Sequence, residues 1–193
     1  MRDATIRQLL KDTELLQYKN DGSSKIVEEM TIPAAKARID MAVINGHLHG
    51  FEIKSASDTL QRLPGQIEAY TKVFDYLHIV TEGKYHEKIL SSVPSWIGIY
   101  VCCDKSNAIK QIRPASLNNS KSGFYLAKLL WRQEIIEVFT EQKIKFRKKD
   151  RNWILCELIA QTIDTVSLSA IVREKLKARA EWKSESKEYH LPK

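Results

Sequence analysis

Long hydrophobic runs are missing from this sequence. No apolar stretch approaches the roughly 18 residues that a membrane-spanning helix needs, so no membrane partner is expected. Glycine and proline are scarce, at 7 and 5 of 193 residues, which excludes a collagen-like or low-complexity Pro/Gly chain. Cysteine is scarcer still. The 3 thiols, two of them adjacent at Cys102 and Cys103, make neither a disulfide framework nor a zinc knuckle. The opening Met1-Arg2-Asp3-Ala4 lacks the apolar segment of a secretory signal. No ATPase motif occurs. A reduced, cytoplasmic setting is therefore expected.

What the chain does have is enough apolar residue for a core, at 43% hydrophobic and 28% charged. It also has an uneven charge. The net charge is +7, yet residues 1–100 carry 12 Lys+Arg against 13 Asp+Glu, a balance of −1. Residues 101–193 carry 19 against 11, a balance of +8. A one-sided basic region points to a polyanionic partner, nucleic acid being the commonest. A basic surface that only keeps the protein in solution is the plainer alternative.

Residues 3–16 predict a first helix, with Ile6, Leu9, Leu10 and Thr13 at helical spacing. The turn cluster at 20–24 ends it. Two extended runs follow, 25–32 and 38–44, and Asn45-Gly46 signals a hairpin into a third strand over 48–55. A second helix is expected over 58–75, with Pro64 tolerated in its first turn. Apolar runs at 76–81 and 96–102 read as buried strands, with a short helix over 85–92 between them and a pairing partner at 108–112. The expected class is α/β, a mixed sheet of about four to six strands with helices on its faces. Residues 113–123 read as a linker after a core over 1–112. Helical periodicity then covers 124–142, 151–164 and 168–182, making 124–182 a basic helical region, and the polar tail 183–193 is expected to fray.

The chemically informative stretch is 37–54. Alternation sends Ile39, Met41 and Val43 one way and Arg38, Asp40 and Ala42 the other; on the next strand Phe51 and Ile53 oppose Glu52 and Lys54. One face is then apolar, and the other gathers Asp40, Glu52 and Lys54 across strands about 5 Å apart. Two carboxylates that close repel each other unless a cation lies between them. Mg²⁺ takes one or two carboxylates plus waters and phosphate oxygens, and a neighbouring ammonium completes equipment for phosphodiester hydrolysis. An acid–base pair on a solvated strand face is the ordinary alternative. On the next helix Gln66 and Tyr70 stand four apart and place an amide and a phenol on one face.

These residues carry a resemblance. Asp40…Glu52-Ile53-Lys54 is similar to the metal-binding core of the PD-(D/E)XK nuclease superfamily, and Gln66-x-x-x-Tyr70 resembles the extra motif of its RecB-like branch. The order helix, three-strand meander, helix, strand over residues 3–81 resembles that superfamily's restriction-endonuclease-like core. Residues 37–40 and 48–55, Arg62-Leu63-Pro64 and Leu130-Trp131-Arg132 are similar to a group of short bacterial proteins of undetermined function placed in the superfamily. Ile39 stands where the motif's name has proline. The resemblance implies a Mg²⁺- or Mn²⁺-dependent nuclease in which Asp40 and Glu52 hold the metal and Lys54 orients the attacking water. Gln66 and Tyr70 would support the site. It also implies one further acid, for which Glu14, Glu28 and Glu29 are candidates and Glu29 is favoured as a metal ligand.

Lys143, Lys145, Arg147, Lys148, Lys149 and Arg151 surround Phe146. Cations about an exposed ring suit a nucleic-acid strand; a solvated loop is the alternative. Trp96, Trp131, Trp153 and Cys102 read as core. Asp58 reads as a helix start, and His47 and His49 as a polar hairpin tip without a third metal ligand. The expectation is thus a nuclease, with DNA favoured as partner and a homodimer compatible. Two other readings stay open: a nuclease-fold protein without turnover that binds DNA or a protein partner, and a hydrolase or interaction module unrelated to nucleic acid.

Overall fold

A computed structural model describes residues 1–180 and 182, apart from 57 and 105; the tail expected over 183–193 lies outside the described residues. The strands are β1 (Lys25–Ile32), β2 (Ala37–Ile44), β3 (Leu48–Lys54), β4 (Tyr76–Glu82), β5 (Gly98–Cys103) and β6 (Ala108–Arg113). They form one 6-stranded sheet in the order β1-β2-β3-β4-β5-β6. The Asn-Gly hairpin is present. Asn45 N–H donates to the His47 carbonyl at 3.0 Å, and His47 N–H donates to Asn45 Oδ1 at 2.8 Å. β1, β2 and β3 are antiparallel, β3, β4 and β5 run parallel, and β6 returns antiparallel.

Parallel neighbours need crossovers, and two helices supply them. These are α3 (Leu63–Thr71) between β3 and β4, and α4 (His86–Ser92) between β4 and β5. Before the sheet come α1 (Asp3–Asp12) and the single turn α2 (Leu16–Lys19). Apolar residues of α1 (Ile6, Leu10) bury against Met41, Val43, Phe51, Ile53 and Val80 on one sheet face. The other face, with Ala42, Ile44, Leu48 and Ile79, buries against α3, α4 and the C-terminal helices. Both faces are therefore covered, so the strand face that carries Glu52 and Lys54 is not a solvated one.

The C-terminal helices are α5 (Gly123–Ala127), α6 (Arg132–Glu141), α7 (Asn152–Thr162) and α8 (Thr165–Ala178). The single helix expected over 124–142 is broken. Trp131 is extended, at φ −70 and ψ 157, and its N–H donates to Glu134 Oε2 at 2.6 Å, which starts α6 afresh. Arg179 holds that glutamate with two hydrogen bonds, at 2.7 and 2.6 Å, and stacks on Trp131 with its guanidinium carbon 4.1 Å from the ring centre. Trp153 is not core: it is 50% exposed on α7. Asp58 does not start a helix. Its Oδ2 accepts Ser55 N–H and Ser55 O–H at 2.8 and 2.7 Å, closing the turn after β3, and α3 begins later.

Residues 113–123 are fastened to the end of α3 and to the segments that lead into β4 and β5. Ser116 N–H reaches the Trp96 carbonyl, Ser122 N–H the Lys72 carbonyl, and Asn118 Nδ2 the Thr71 and Phe74 carbonyls. Their centre is Asp75, 2% exposed. Its carboxylate accepts Leu48 N–H at 2.7 Å, pairs with Lys121, and lies 3.6 Å from Arg173 of α8. Its carbonyl accepts Asn118 N–H at 2.8 Å. The buried residues of the sheet and of α5 to α8 share one apolar cluster. Among the described residues no helix is long and apolar enough to cross a membrane.

Replacing Asp75 by Ala is expected to cost about 3 kcal/mol, because it strands the Lys121 ammonium and the Leu48 N–H in a buried setting. Val166→Ala, at a side chain 80% exposed, should change stability by less than about 0.5 kcal/mol. Urea midpoints of the two variants check this, and similar midpoints would remove Asp75 from its structural role.

Candidate active site

Glu52 and Lys54 alternate with Phe51 and Ile53 along β3 and so turn away from α1 toward α3. Both are buried, at 2% and 6% exposure. Lys54 Nζ donates to Glu52 Oε1 at 2.6 Å and to Gln66 Oε1 at 3.0 Å. Gln66 Nε2 donates to the same Glu52 oxygen at 2.7 Å. Tyr70 O–H lies 2.8 Å from Glu52 Oε2 and 2.7 Å from the Arg38 carbonyl, and its one proton serves them in turn. Burial first, and then the Glu52 carboxylate, push the Tyr70 phenol far above its ordinary range, so it stays a donor. The four-residue spacing of Gln66 and Tyr70 on α3 is what lets both reach one carboxylate.

Asp40 joins this group through an irregularity. The β2–β3 ladder stops at Met41↔Phe51, and in the next position Asp40 Oδ2 accepts Ile53 N–H at 2.7 Å. The carboxylate takes a place that a backbone carbonyl would hold. On the other side, Glu29 stands opposite Asp40 between the pairs Glu28↔Met41 and Met30↔Ile39. Its φ is 54, a left-handed conformation uncommon for glutamate. This kink resets the alternation. Ile39, expected beside Met41 and Val43, packs instead in the cluster of Ala42 and Ile44, while Met41 and Val43 pack with α1.

The carboxylates of this rim share a cation already. Arg7, from α1, donates to the Asp40 carbonyl at 3.0 Å, lies 3.2 Å from Asp40 Oδ1 and Asp3 Oδ1, and is 2.7 Å from Glu29 Oε1. Arg38 holds the other Glu29 oxygen at 2.6 Å. Glu29, the favoured further acid, is thus brought to Asp40 but with its oxygens on two guanidiniums. Glu28 pairs with Lys11. Glu14 lies on the sheet face away from Glu52 and Lys54, hydrogen-bonded to Tyr100. Arg7 is the site residue that sequence reasoning missed; one arginine in a helix carries no periodic signal.

Burial first, and then the Glu52 carboxylate, push Asp40 from 3.8 up to about 7, against the pull of Ile53 N–H and Arg7. The burial of one carboxyl beside a second is the observation bearing on a metal. Among the described residues no three or more His, Cys, Asp or Glu side chains gather as a cage. A hard divalent ion asks for fewer: one or two carboxylates, with water and phosphate supplying the rest. Asp40 and Glu52 fit that demand.

The basic segment stands apart from this cluster. Lys143, Lys145, Arg147, Lys148, Lys149 and Arg151 are all exposed. Arg132 holds the loop's backbone through the Lys148 and Asp150 carbonyls, and Arg147 pairs with Asp150 at 3.3 Å. Phe146 is not a free platform among them. It stacks on Phe139 at 4.7 Å between centres and packs on the core.

The family described as Bacteriophage P4 protein cII matches residues 3–190. Protein cII of Enterobacteria phage P4 is 28% identical over 123 residues, which make up 63% of this chain and 47% of that protein. The chain thus spans about half the length of the curated relative it matches. A solved protein of unknown function from Silicibacter pomeroyi superposes with a TM-score of 0.42 at 13% identity, covering 70% of this chain and 92% of that one.

Since Asp40 is raised in the folded chain, folding binds its proton more tightly. The stabilisation this brings is whole below about pH 4 and lost as the pH rises through about 7. Asp40→Asn keeps the shape and carries no charge. In metal-free solution it should raise stability at about pH 8 by on the order of 2 kcal/mol and change little at about pH 4. Urea midpoints in chelator at the two pH values decide the matter; a difference independent of pH would show that burial and Glu52 do not act on this carboxyl.

Proposed function

We propose that this chain, which belongs to the bacteriophage P4 protein cII family, is a metal-dependent nuclease of the PD-(D/E)XK kind that hydrolyses phosphodiester bonds in nucleic acid, DNA favoured. The supporting observation is the convergence of Asp40, Glu52, Lys54, Gln66 and Tyr70 where β2 and β3 part. Asp40 and Glu52 would hold Mg²⁺ or Mn²⁺. Such an ion supplies Lewis-acid stabilisation of phosphate charge and acidifies water. Lys54 spends two of its three N–H donors on Glu52 and Gln66 and keeps one for a phosphate oxygen or the attacking water. Gln66 and Tyr70 fix the Glu52 carboxylate, which otherwise has rotational freedom. The exposed cations of the 143–151 loop are the proposed phosphate contacts.

A second reading, nucleic-acid binding without turnover, is favoured by Arg7. Its guanidinium already neutralises the edge of Asp40 and Glu29 that a metal would face. A cleavage screen over linear, circular, single-stranded and RNA substrates, with and without divalent ion, separates the two readings.

In that assay Asp40→Asn should lower Mg²⁺-dependent cleavage at least about 100-fold, and Gln66→Ala about 10-fold, since it orients a ligand without being one. Glu52→Gln and Lys54→Ala should also be inactive. Each leaves a buried partner uncompensated, so their folding must be measured alongside. Wild-type cleavage by Asp40→Asn would sink the site assignment.

Neutralising Lys145, Arg147, Lys148 and Lys149 together should weaken binding about equally across sequences, because phosphate contacts carry no base information. The slope of log affinity on log salt should flatten by about 0.7–0.9 per lost contact. Binding titrations at several salt concentrations measure this. An unchanged slope would make the loop a solvated surface.

A further inference from the structure

The sheet face turned toward α1 carries a block of rings. β3 and β4 pair His49 with Tyr76 and Phe51 with His78. Tyr76 and His49 stack across the two strands with centres 5.0 Å apart and planes within 14°, His78 and Phe51 with centres 4.5 Å apart and planes within 11°, and the diagonal His49 and His78 lie 6.2 Å apart within 15°. This block of rings forms one wall of a cavity of about 210 Å³. Glu14 and Tyr18 close it from the helical side, and Tyr100 and Gln111 from β5 and β6.

One wall residue is unusual. His78 is 7% exposed, and its Nδ1 has no hydrogen-bond partner among the described residues. Its neighbour in register on β5 is Gly98. A Cβ there would stand 2.6 Å from His78 Nδ1 and 2.9 Å from the Ala115 backbone nitrogen. The absence of a side chain at this position is what lets the ring lie where it does, with one polar atom uncommitted.

The charge of the cavity narrows what it accepts. No lysine or arginine is among its lining residues, and Glu14 is the one charged group there. Burial first, and then His47, bring His49 down to about 4. Burial first, and then His49, bring His78 down to about 3. Both imidazoles are therefore neutral near pH 7. An anion finds a carboxylate and no counter-charge. A neutral planar ring finds parallel π-faces to extend, a carboxylate for its N–H donors, the Gln17 and Gln111 amides, and a His78 nitrogen that donates or accepts by tautomer. The volume is below the roughly 300–1,000 Å³ of sites for drug-sized ligands, so one ring system fits.

We propose that this cavity binds an uncharged nucleobase, with its ring against the wall formed by the Tyr76/His49 and His78/Phe51 pairs and its N–H edge on Glu14. The site lies on the sheet face opposite Glu52 and Lys54, which alternate with Phe51 along β3, and does not depend on the nuclease reading. A nucleobase comes either as a free nucleoside or as a base exposed in a strand; the chemistry is shared, and the test separates them.

The test follows the imidazole NMR signals of His49 and His78 in the full chain. The titrants are adenosine, guanosine, cytidine and uridine, the four 5′-monophosphates, and a short single-stranded oligonucleotide. At least one nucleoside is expected to shift both signals saturably, with its monophosphate about 10-fold weaker or more, because the added charge meets Glu14 unpaired. Glu14→Gln should weaken the nucleoside by about 10-fold and narrow the gap to the monophosphate. Gly98→Ala should abolish the shift by driving the His78 ring into the cavity; should it fail to fold, the isosteric Glu14→Gln carries the test. Saturation by the oligonucleotide alone assigns the site to a base in a strand, and saturation by nucleosides to the free molecule. No shift with any titrant, or a monophosphate that binds as tightly as its nucleoside, overturns the proposal.

Discussion

One buried carboxylate ties the two ends of this chain together. Asp75 sits where α3 hands over to β4, and it is almost wholly buried. Its oxygens are met by the first N–H of β3, by Lys121 from the connecting segment and by Arg173 from α8. A buried charge with its partners in place is close to neutral in cost, whereas the same charge with one removed is strongly destabilising. The arrangement therefore selects: the C-terminal helices dock in the one position that brings both cations to Asp75. The start of β3 is fixed by the same group, and β3 carries Glu52 and Lys54 at its far end.

The proposed site is held together by an electrostatic imbalance of the opposite kind. Around Glu52 every oxygen is answered by a donor from Lys54, Gln66 or Tyr70. Asp40 is answered less well. It interrupts a strand ladder to take Ile53 N–H, faces Glu52, and borrows Arg7 from a helix 33 residues earlier. Glu29 opposite it adopts a left-handed backbone, which costs roughly 1–2 kcal/mol for a residue with a side chain. A buried carboxyl beside a second carboxylate and a left-handed Glu29 thus fall at one place on the sheet, the kind of local strain that a well-determined surrounding structure can hold.

Much of this was legible in the sequence, and the reasons are local. The β2 and β3 runs showed themselves because Ile39, Met41 and Val43, and then Phe51 and Ile53, recur at a spacing of two, with Asn45-Gly46 signalling the turn between them. Glu52, Lys54, Gln66 and Tyr70 converge through spacings of two and four residues, which sequence displays directly. Other features were hidden because the determining contact is distant or the local signal is atypical. Nothing in residues 124–142 announces the break at Trp131, since the capping acid is Glu134 and its anchor, Arg179, is 45 residues on. The reversal of Ile39 depends on a left-handed Glu29, and glutamate gives no such hint. Trp153 follows an apolar period but lies on the outer side of α7. Phe146 sits among lysines and yet turns inward to Phe139.

The sheet order repeats the order of the strands along the chain, and this bears on how the protein is made. Each strand pairs with the one translated just before it, so no strand must wait for a partner still to be synthesised. Loop-closure entropy is met in small instalments, a pattern associated with fast folding. The face beneath α1 can close early. The opposite face is covered by α3 and α4 as they form, but it stays incomplete until α5 to α8 emerge after the last strand. A ribosome-bound intermediate of this chain thus leaves part of the face with Ala42, Ile44 and Ile79 open to solvent or to a holding chaperone, and its aggregation risk is concentrated in that interval.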